Sequence, residues 1–230
     1  AATTLEAVGD AKSAEAQLSW VADNGKDAVR GVARLRLAGV QMDQKEYDAA
    51  LKTLGTDYLD VLQLGWLGKA SAWTSGTVDA LVRLREEGKV RAIGVSIHDR
   101  QRAGELASDS PLDMLMIRYN AAHPGAERDI FPHLSARHPA VVAYTATAWG
   151  RLLKRPEGWN EPLPTAGDCY RFCLSNPSVD VVLTGPASRA QLEENLQALA
   201  KGSMNAEELA WMRRLGEVVH ANKRIPGAPA

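Results

Sequence analysis

The feature that most constrains the fold is an alternation of short apolar runs with amphipathic segments. The runs are rich in Val, Ile and Leu, and they occupy residues 58–64, 90–96, 112–118, 140–144 and 179–184. Two weaker candidates precede them, at 18–22 and 32–40. Continuous apolar runs are typical of parallel strands that are covered on both faces. The regular alternation of strands and helices favours parallel strands joined by right-handed crossovers. Such strands form either a barrel or an open doubly wound sheet.

The position of a phosphate-binding segment favours the barrel. A doubly wound dinucleotide fold carries a glycine-rich turn after its first strand, and the sequence has no G-x-G-x-x-G. The last apolar run instead leads into Gly185, followed by Ser188, Arg189 and Gln191. Ser188 and Gln191 have the spacing of a capping box, so a helix with free N–H groups is expected to begin there. A phosphate site after the final strands is the arrangement found in barrels.

Composition and charge exclude several classes of protein. The chain has 230 residues, 24% of them charged, and a net charge of −1, so no basic field favours nucleic acid or a membrane surface. We expect one domain over residues 1–225, a loose tail at 226–230 and a cytoplasmic location. Cys169 and Cys173 are four residues apart, and without further ligands they predict two reduced thiols and no metal site.

Five segments, in this order along the chain, resemble the signatures of the aldo-keto reductase family. They are LGTDYLDVLQL at 54–64, EGKVRAIGVS at 87–96, RYN at 118–120, AY at 143–144 with Gly150, and QLEEN at 191–195 within the segment that begins at Gly185. The resemblance covers residues 43–215, and it implies a (β/α)8 TIM barrel.

The resemblance also implies NADP(H) as cofactor, with NAD(H) as the alternative, and hydride transfer to or from a carbonyl group of a small molecule. Ser96 matches the residue that hydrogen-bonds the nicotinamide carboxamide. Tyr144 matches the ring that stacks on the nicotinamide. The segment that binds the adenosine and its 2′-phosphate matches Gly185, Ser188, Arg189, Gln191, Glu194 and Asn195. A guanidinium beside a helix N-terminus is also a good phosphate site on physical grounds.

The catalytic residues of the family are not found at their expected places. The family His follows the fourth strand, where this sequence has Gly65. An alignment anchored on Gly25 puts Ser19 and Asn24 in place of the family Asp and Tyr, and the Lys position falls at residues 37–39.

Two cofactor contacts also differ, because Ile97 follows Ser96 and Met116 stands where a Gln is usual. The family's first strand has no counterpart before Thr3. Either residues are absent from the sequence, or segment 1–17 lies closer to the second strand than the pattern suggests.

Other polar and aromatic residues are candidates for the site. Asn24, Asp23 and His98 are the candidate catalytic residues, and His98 follows a strand at the rim where barrels carry their active sites. An apolar substrate pocket is expected to be lined by Trp20, Trp66 and Trp149. Three further histidines are expected to be solvated surface residues: His123, His133 and His138.

The sequence leaves three hypotheses for the function. The first is a NAD(P)H-dependent oxidoreductase with a non-standard active site, acting on a carbonyl compound. The second is a nicotinamide-binding sensor or partner subunit without turnover. A lyase or isomerase that reuses the barrel mouth is the third. Fold alone does not decide among them, because function depends on the site.

Overall fold

The computed structural model describes residues 10–44, 46–67 and 74–222. The tail predicted at 226–230 lies outside these residues. The chain divides into two compact units, Ala1–Val61 with Arg83–Arg91, and Leu62–Val82 with Ala92–Ala230. The single domain over residues 1–225 stays a prediction from the sequence. Across the described ranges, no helix is long and apolar enough to cross a membrane.

Three helices come first in the described part of the first unit, α1 (Ala11–Asn24), α2 (Asp27–Asp43) and α3 (Tyr47–Leu54). The Asp10 side chain caps α1 by accepting a hydrogen bond from the Ser13 N–H at 3.1 Å. Helices α1 and α2 share a small apolar core. That core is formed by Leu18, Ala22, Ala33 and Leu37.

The strands predicted at 18–22 and 32–40 are therefore wrong, because both segments are helical. Leu18 and Ala22 are buried on one face of α1, four residues apart, and Ala33 and Leu37 have the same spacing in α2. This spacing is that of a helix face rather than of a strand. The alignment that placed Ser19 and Asn24 at the family Asp and Tyr positions depends on a strand, and this structure has a helix there.

Five parallel strands alternate with helices in the rest of the described chain. The strands are β1 (Leu59–Leu67), β2 (Val90–Ile97), β3 (Met114–Arg118), β4 (Ala140–Tyr144) and β5 (Val181–Val182). The helices are α4 (Ser75–Glu86), α5 (Arg100–Asp109), α6 (Ala126–Asp129), α7 (Ala166–Leu174), α8 (Arg189–Lys201) and α9 (Ala206–Ala221). Short 3₁₀ helices occupy Phe131–Ala136 and Arg151–Leu153.

The strands lie in the sheet in chain order, β1-β2-β3-β4-β5. Each neighbouring pair with a described register is parallel, as with Leu115 opposite Val141. The predicted α/β class with parallel strands is confirmed. All five continuous apolar runs form strands. One face of each central strand is almost fully buried, through Ile93, Val95, Leu115, Ile117 and Val141. On the outer strands β1 and β5, Val61 and Val181 are exposed.

Helix α9 packs closely against the loop that follows β3. A Cβ at Gly216 would overlap the backbone carbonyl of Ala121, so only glycine permits this approach. One turn further along α9, His220 Nδ1 lies 2.8 Å from the Ala122 carbonyl oxygen. Helix α9 therefore supports the loop from its outer side, at the carboxyl ends of the strands.

Candidate functional site

The carboxyl ends of β2, β3 and β4 meet at one edge of the sheet, because the three strands are parallel. Ser96 pairs with Met116, and Arg118 pairs with Tyr144. His98 follows the last residue of β2 directly. In barrels of this kind, residues at this edge form the active site.

Tyr144 and His98 form a pair across this edge. The Tyr144 hydroxyl lies 3.1 Å from His98 Nδ1, and the two rings are stacked with centroids 6.4 Å apart. Burial raises the pKa of Tyr144, against the effect of Arg118. Burial lowers the pKa of His98, and Arg118 and Arg100 lower it further. Both side chains are therefore neutral near pH 7, and the His98 tautomer decides which of them donates the hydrogen bond.

Arg118 lies between the two, at the end of the middle strand. Its side chain is half-buried, and burial followed by the charge of Arg100 lowers its pKa. The guanidinium carbon is 5.9 Å from the centroid of the Trp149 ring. This distance is within the range of a cation–π interaction. The predicted pocket residue Trp149 is thus at the carboxyl edge, with 57% of its surface exposed.

The loop after β4 has an unusual backbone conformation. Thr145, Ala148 and Trp149 have positive φ angles of 55°, 50° and 56°, and Gly150 follows with a φ of 78°. Residues with a Cβ seldom adopt these angles, and strain of this kind is concentrated at functional sites. The conformation holds Trp149 beside Arg118.

Asn120 ties this loop to the loop after β3. Its side chain is fully buried, and Nδ2 donates to the Thr145 carbonyl oxygen at 2.8 Å. Oδ1 lies 3.0 Å from His123 Nδ1. Burial, Arg118 and other basic groups lower the pKa of His123 to about 4, so its ring is neutral at pH 7. His123 was expected at the solvated surface, and that prediction is wrong: it is partly buried, with its ring 6.1 Å from that of Trp149.

The segment between β5 and α8 has the predicted cap. Ser188 is the N-cap, and its hydroxyl accepts from the Gln191 N–H at 3.2 Å. Gln191 Oε1 accepts from the Ala187 N–H, one residue before the cap. Asn195 is buried, and its Nδ2 donates to Thr184 Oγ1 at 3.3 Å, which fixes α8 to the end of β5.

Most of the predicted adenosine segment is exposed to solvent. The Arg189 side chain is 90% exposed, and its Nε donates to Glu193 Oε1 at 2.8 Å. Gly185, Ser188, Gln191 and Glu194 are also exposed. Apart from the chain neighbours of Gly185, no residue lies within 4 Å of a Cβ built there, so the backbone is open to a ligand. The exposed donors and the capped helix start have the chemistry of a phosphate site.

Strand β1 lacks the family histidine. Gly65 is exposed, and a Cβ built there meets no heavy atom of the described residues within 4 Å. Gln63 Nε2 donates a weak hydrogen bond to Met116 Sδ at 3.1 Å, so the residue that replaces the usual Gln on β3 contacts β1, two strands away in the sheet. Trp66 is near the end of β1, and its side chain lies outside the described part of the structure.

The remaining predicted site residues belong to α1 in the first unit. Trp20 is 66% exposed, Asp23 is exposed, and Asn24 Nδ2 donates to the Trp20 carbonyl oxygen at 2.9 Å. This bond is a local one, within the last turn of the helix. Their part in the site stays a prediction.

Neither cysteines nor acidic residues form a metal site in the described ranges. Cys169 and Cys173 are buried on α7, and burial raises the pKa of Cys169 to about 12. Burial also raises the pKa of Cys173. Both groups are protonated thiols at pH 7, which suits packing rather than reaction with a ligand.

Residues 41–168 match the model of the aldo/keto reductase family, and residues 1–61 match that of a tetratricopeptide repeat-like domain. L-galactose dehydrogenase of Arabidopsis thaliana is 24% identical over 184 residues, which are 69% of this chain and 58% of that protein. The methylglyoxal reductase YeaE of Escherichia coli is 33% identical over 119 residues, which are 50% of this chain and 41% of that protein. The chain therefore spans about half the length of these relatives.

Solved structures show the same fold. The holo form of the aldo-keto reductase AKR11C1 from Bacillus halodurans superposes with a TM-score of 0.62 at 25% identity, over 75% of this chain and 66% of that one. The glycerol dehydrogenase AKR11B4 from Gluconobacter oxydans, at 20% identity, has a TM-score of 0.60 over 82% of this chain and 67% of that one. The predicted (β/α)8 barrel fold is confirmed, and the described residues form five consecutive strands of it.

Proposed function

Because this chain belongs to the aldo/keto reductase family, we propose that it is a nicotinamide-dependent oxidoreductase that reduces the carbonyl group of a small molecule. The observation that carries the proposal is the placement of two family features on one sheet edge. Tyr144 ends β4, and the capped start of α8 follows β5, which pairs with β4. An aromatic ring and a phosphate site on adjacent strands suit the two ends of a dinucleotide.

The donor set fits the phosphate groups of such a cofactor. The Ser188 hydroxyl accepts one backbone hydrogen bond and keeps its own proton for donation. Arg189 uses Nε for Glu193, which leaves its two terminal nitrogens for an anion. The first N–H groups of α8 have no partner within the helix. A guanidinium at this place favours NADPH over NADH, because only NADPH carries a 2′-phosphate.

The nicotinamide end would be held by Ser96, Tyr144 and His98. Ser96 offers a hydroxyl beside Met116, and the half-buried Tyr144 ring offers a face for stacking. When bound, reduced nicotinamide supplies a hydride to the carbonyl carbon, and the carbonyl oxygen then needs one proton. His98 and the Tyr144 hydroxyl share a hydrogen bond at this edge, so we assign them the delivery of that proton.

This assignment makes the active site non-standard. Gly65 offers no donor at the position of the family histidine, and the helices α1 and α2 occupy the segments aligned with the family Asp, Tyr and Lys. A neutral His98 delivers a proton less readily than an activated tyrosine, because its protonated form is scarce at pH 7. We therefore expect slow turnover that rises as the pH falls towards the lowered pKa of His98.

Two observations favour a second candidate, a nicotinamide-binding sensor or partner subunit without turnover. No described atom lies within 4 Å of a Cβ built at Gly65, and residues 1–61 match a tetratricopeptide repeat-like domain, whereas the match to the reductase family begins at residue 41. Both candidates require cofactor binding, and only the first requires oxidation of NADPH by a carbonyl compound. Absorbance of the reduced nicotinamide, followed with a panel of aldehydes and ketones, separates them.

The test of the cofactor site is the variant Arg189→Ala. Loss of one charge-assisted hydrogen bond to phosphate is worth about 1–2 kcal/mol, or roughly 5- to 30-fold in affinity. We expect this loss for NADPH and little change for NADH, both measured by quenching of tryptophan fluorescence. Lys201→Ala, at the opposite end of α8, removes the same charge and is the control. An equal loss for both cofactors would refute the contact between Arg189 and the 2′-phosphate.

A further inference from the structure

Arg118 differs from the other buried or partly buried arginines of the second unit, which have partners. Arg171 pairs with Glu208 at 2.8 Å, Arg100 with Asp129 at 2.7 Å and Arg102 with Glu105 at 2.7 Å. Arg151 has no described carboxylate partner, but it donates to the backbone carbonyls of Val219 and Asn222. For Arg118, no ion pair with a carboxylate occurs among the residues that the structure describes, and its guanidinium lies near the Trp149 ring. A half-buried charge without a counter-ion is costly, so this guanidinium is suited to receive an anion from outside the chain.

The groups around Arg118 do not supply the missing negative charge. Arg100 shares the carboxylate of Asp129 with Arg128, and His98 and His123 are neutral imidazoles at pH 7. Tyr144 is a neutral phenol whose pKa is raised. None of these groups offsets the positive charge of Arg118.

The position of Arg118 indicates which anion it takes. Arg118 is directly opposite Tyr144 in the β3–β4 register, and Tyr144 is the residue whose ring we assign to the nicotinamide. The phosphate donors, in contrast, follow β5. An anion at Arg118 is thus at the reacting end of the site. The exposed Trp149 ring adds an apolar surface next to the guanidinium, as small organic ligands require.

We propose that Arg118 binds the carboxylate of the substrate, and that the substrates are small carbonyl compounds with a carboxylate next to the carbonyl group, that is, 2-oxo acids. A planar guanidinium binds a carboxylate through two parallel hydrogen bonds. The carboxylate at Arg118 leaves the neighbouring carbonyl at the strand ends that carry Tyr144 and His98. The reduction of a 2-oxo acid rests on the proposed function, whereas the binding of a carboxylate by Arg118 does not.

The experiment compares oxamate with oxamide, which have the same shape and differ by one negative charge. Binding to the full chain is measured by calorimetry at low ionic strength, with and without NADPH. We expect oxamate to bind at least about tenfold more tightly than oxamide, the factor that a charge-assisted contact provides. Arg118→Gln should abolish the preference, and Arg118→Lys should retain part of it. Arg128→Gln removes an exposed guanidinium on α6 and should leave the preference unchanged.

Several outcomes would overturn the inference. Equal binding of oxamate and oxamide to the unaltered chain would do so without any variant, as would an unchanged preference in a folded Arg118→Gln. Inorganic phosphate that binds at Arg118 more tightly than oxamate would assign the guanidinium to a phosphate group instead. Oxamate binding without NADPH binding would refute the proposed function and keep the anion site, whereas NADPH binding without oxamate binding would refute the anion site alone.

Discussion

Gly216 lies on the face of α9 that packs against the loop after β3, and replacing it with alanine tests how that loop is held. The added Cβ would overlap the backbone carbonyl of Ala121 and come within 3.0 Å of the Ala122 N. Backbone atoms cannot rotate away as a side chain does. Helix α9 or the loop must therefore move, and the loop carries Asn120 and His123.

The expected magnitude follows from two opposing effects. Overpacking in a well-packed interior costs about 1–3 kcal/mol, and a clash with backbone belongs at the upper end of this range. Alanine in place of glycine within a helix recovers about 1 kcal/mol of propensity. We expect Gly216→Ala to lower the free energy of unfolding by about 2 kcal/mol, or the midpoint of thermal unfolding by roughly 4–8 °C for a chain of this length.

The assay is thermal and urea unfolding followed by circular dichroism. Gly76→Ala is the control, because Gly76 is an exposed helical glycine in the same unit and its added Cβ meets no atom within 4 Å. That variant should be neutral or slightly more stable. If Gly216→Ala were as stable as Gly76→Ala, the close approach of α9 to Ala121 would not exist, and the proposed support of the loop by α9 would be refuted.

Three other predictions concern two charged residues and the glycine at the family histidine position on β1. Arg171 is 7% exposed and bonds Glu208, Asp168 and the Gly202 carbonyl, so Arg171→Met should cost about 3 kcal/mol in urea unfolding, and a loss below about 1 kcal/mol would show that the cluster is not stabilising. Hydrogen bonds from Arg128 and Arg100 lower the pKa of Asp129 to about 2, from 3.8, so its contribution is present above pH 3.8 and is lost as the pH falls towards 2. Asp129→Asn should flatten the pH dependence of the urea midpoint in that window alone, and an unchanged slope would contradict the shift. A Cβ at Gly65 meets no described atom within 4 Å, and Gly65→His should raise NADPH oxidation if His98 and Tyr144 supply the proton. No gain at unchanged NADPH affinity would favour the binding protein without turnover.

The sequence predicts the strands well where apolar residues are continuous. It predicts them poorly where a segment of about five residues is compatible with both a strand and a helix. Residues 90–96 and 140–144 are largely apolar and form β2 and β4. The window 18–22 contains Leu18 and Ala22 at a helical spacing, yet it is too short to show the period. Only the packing of α1 on α2 resolves it.

In the candidate site, features made by residues close in sequence are predictable, and features made by residues far apart in sequence are not. The Ser188–Gln191 cap depends on residues three apart, so the sequence predicts it, and the structure differs only in the N–H that Gln191 bonds. Arg118 and His123 are missed, because their environment is made by Trp149 and Asn120 across two loops. Polar residues clustered directly after a strand, as in the segment that follows Arg118, are the signal that was available.

Calorimetric titration of the full chain with NADPH tests the proposed function most directly. We expect one molecule bound per chain, with a dissociation constant in the micromolar range or below, and weaker binding when Tyr144 is replaced by alanine. Absence of binding at millimolar NADPH would show that the chain keeps the family fold without its cofactor, and the reductase proposal would then be wrong.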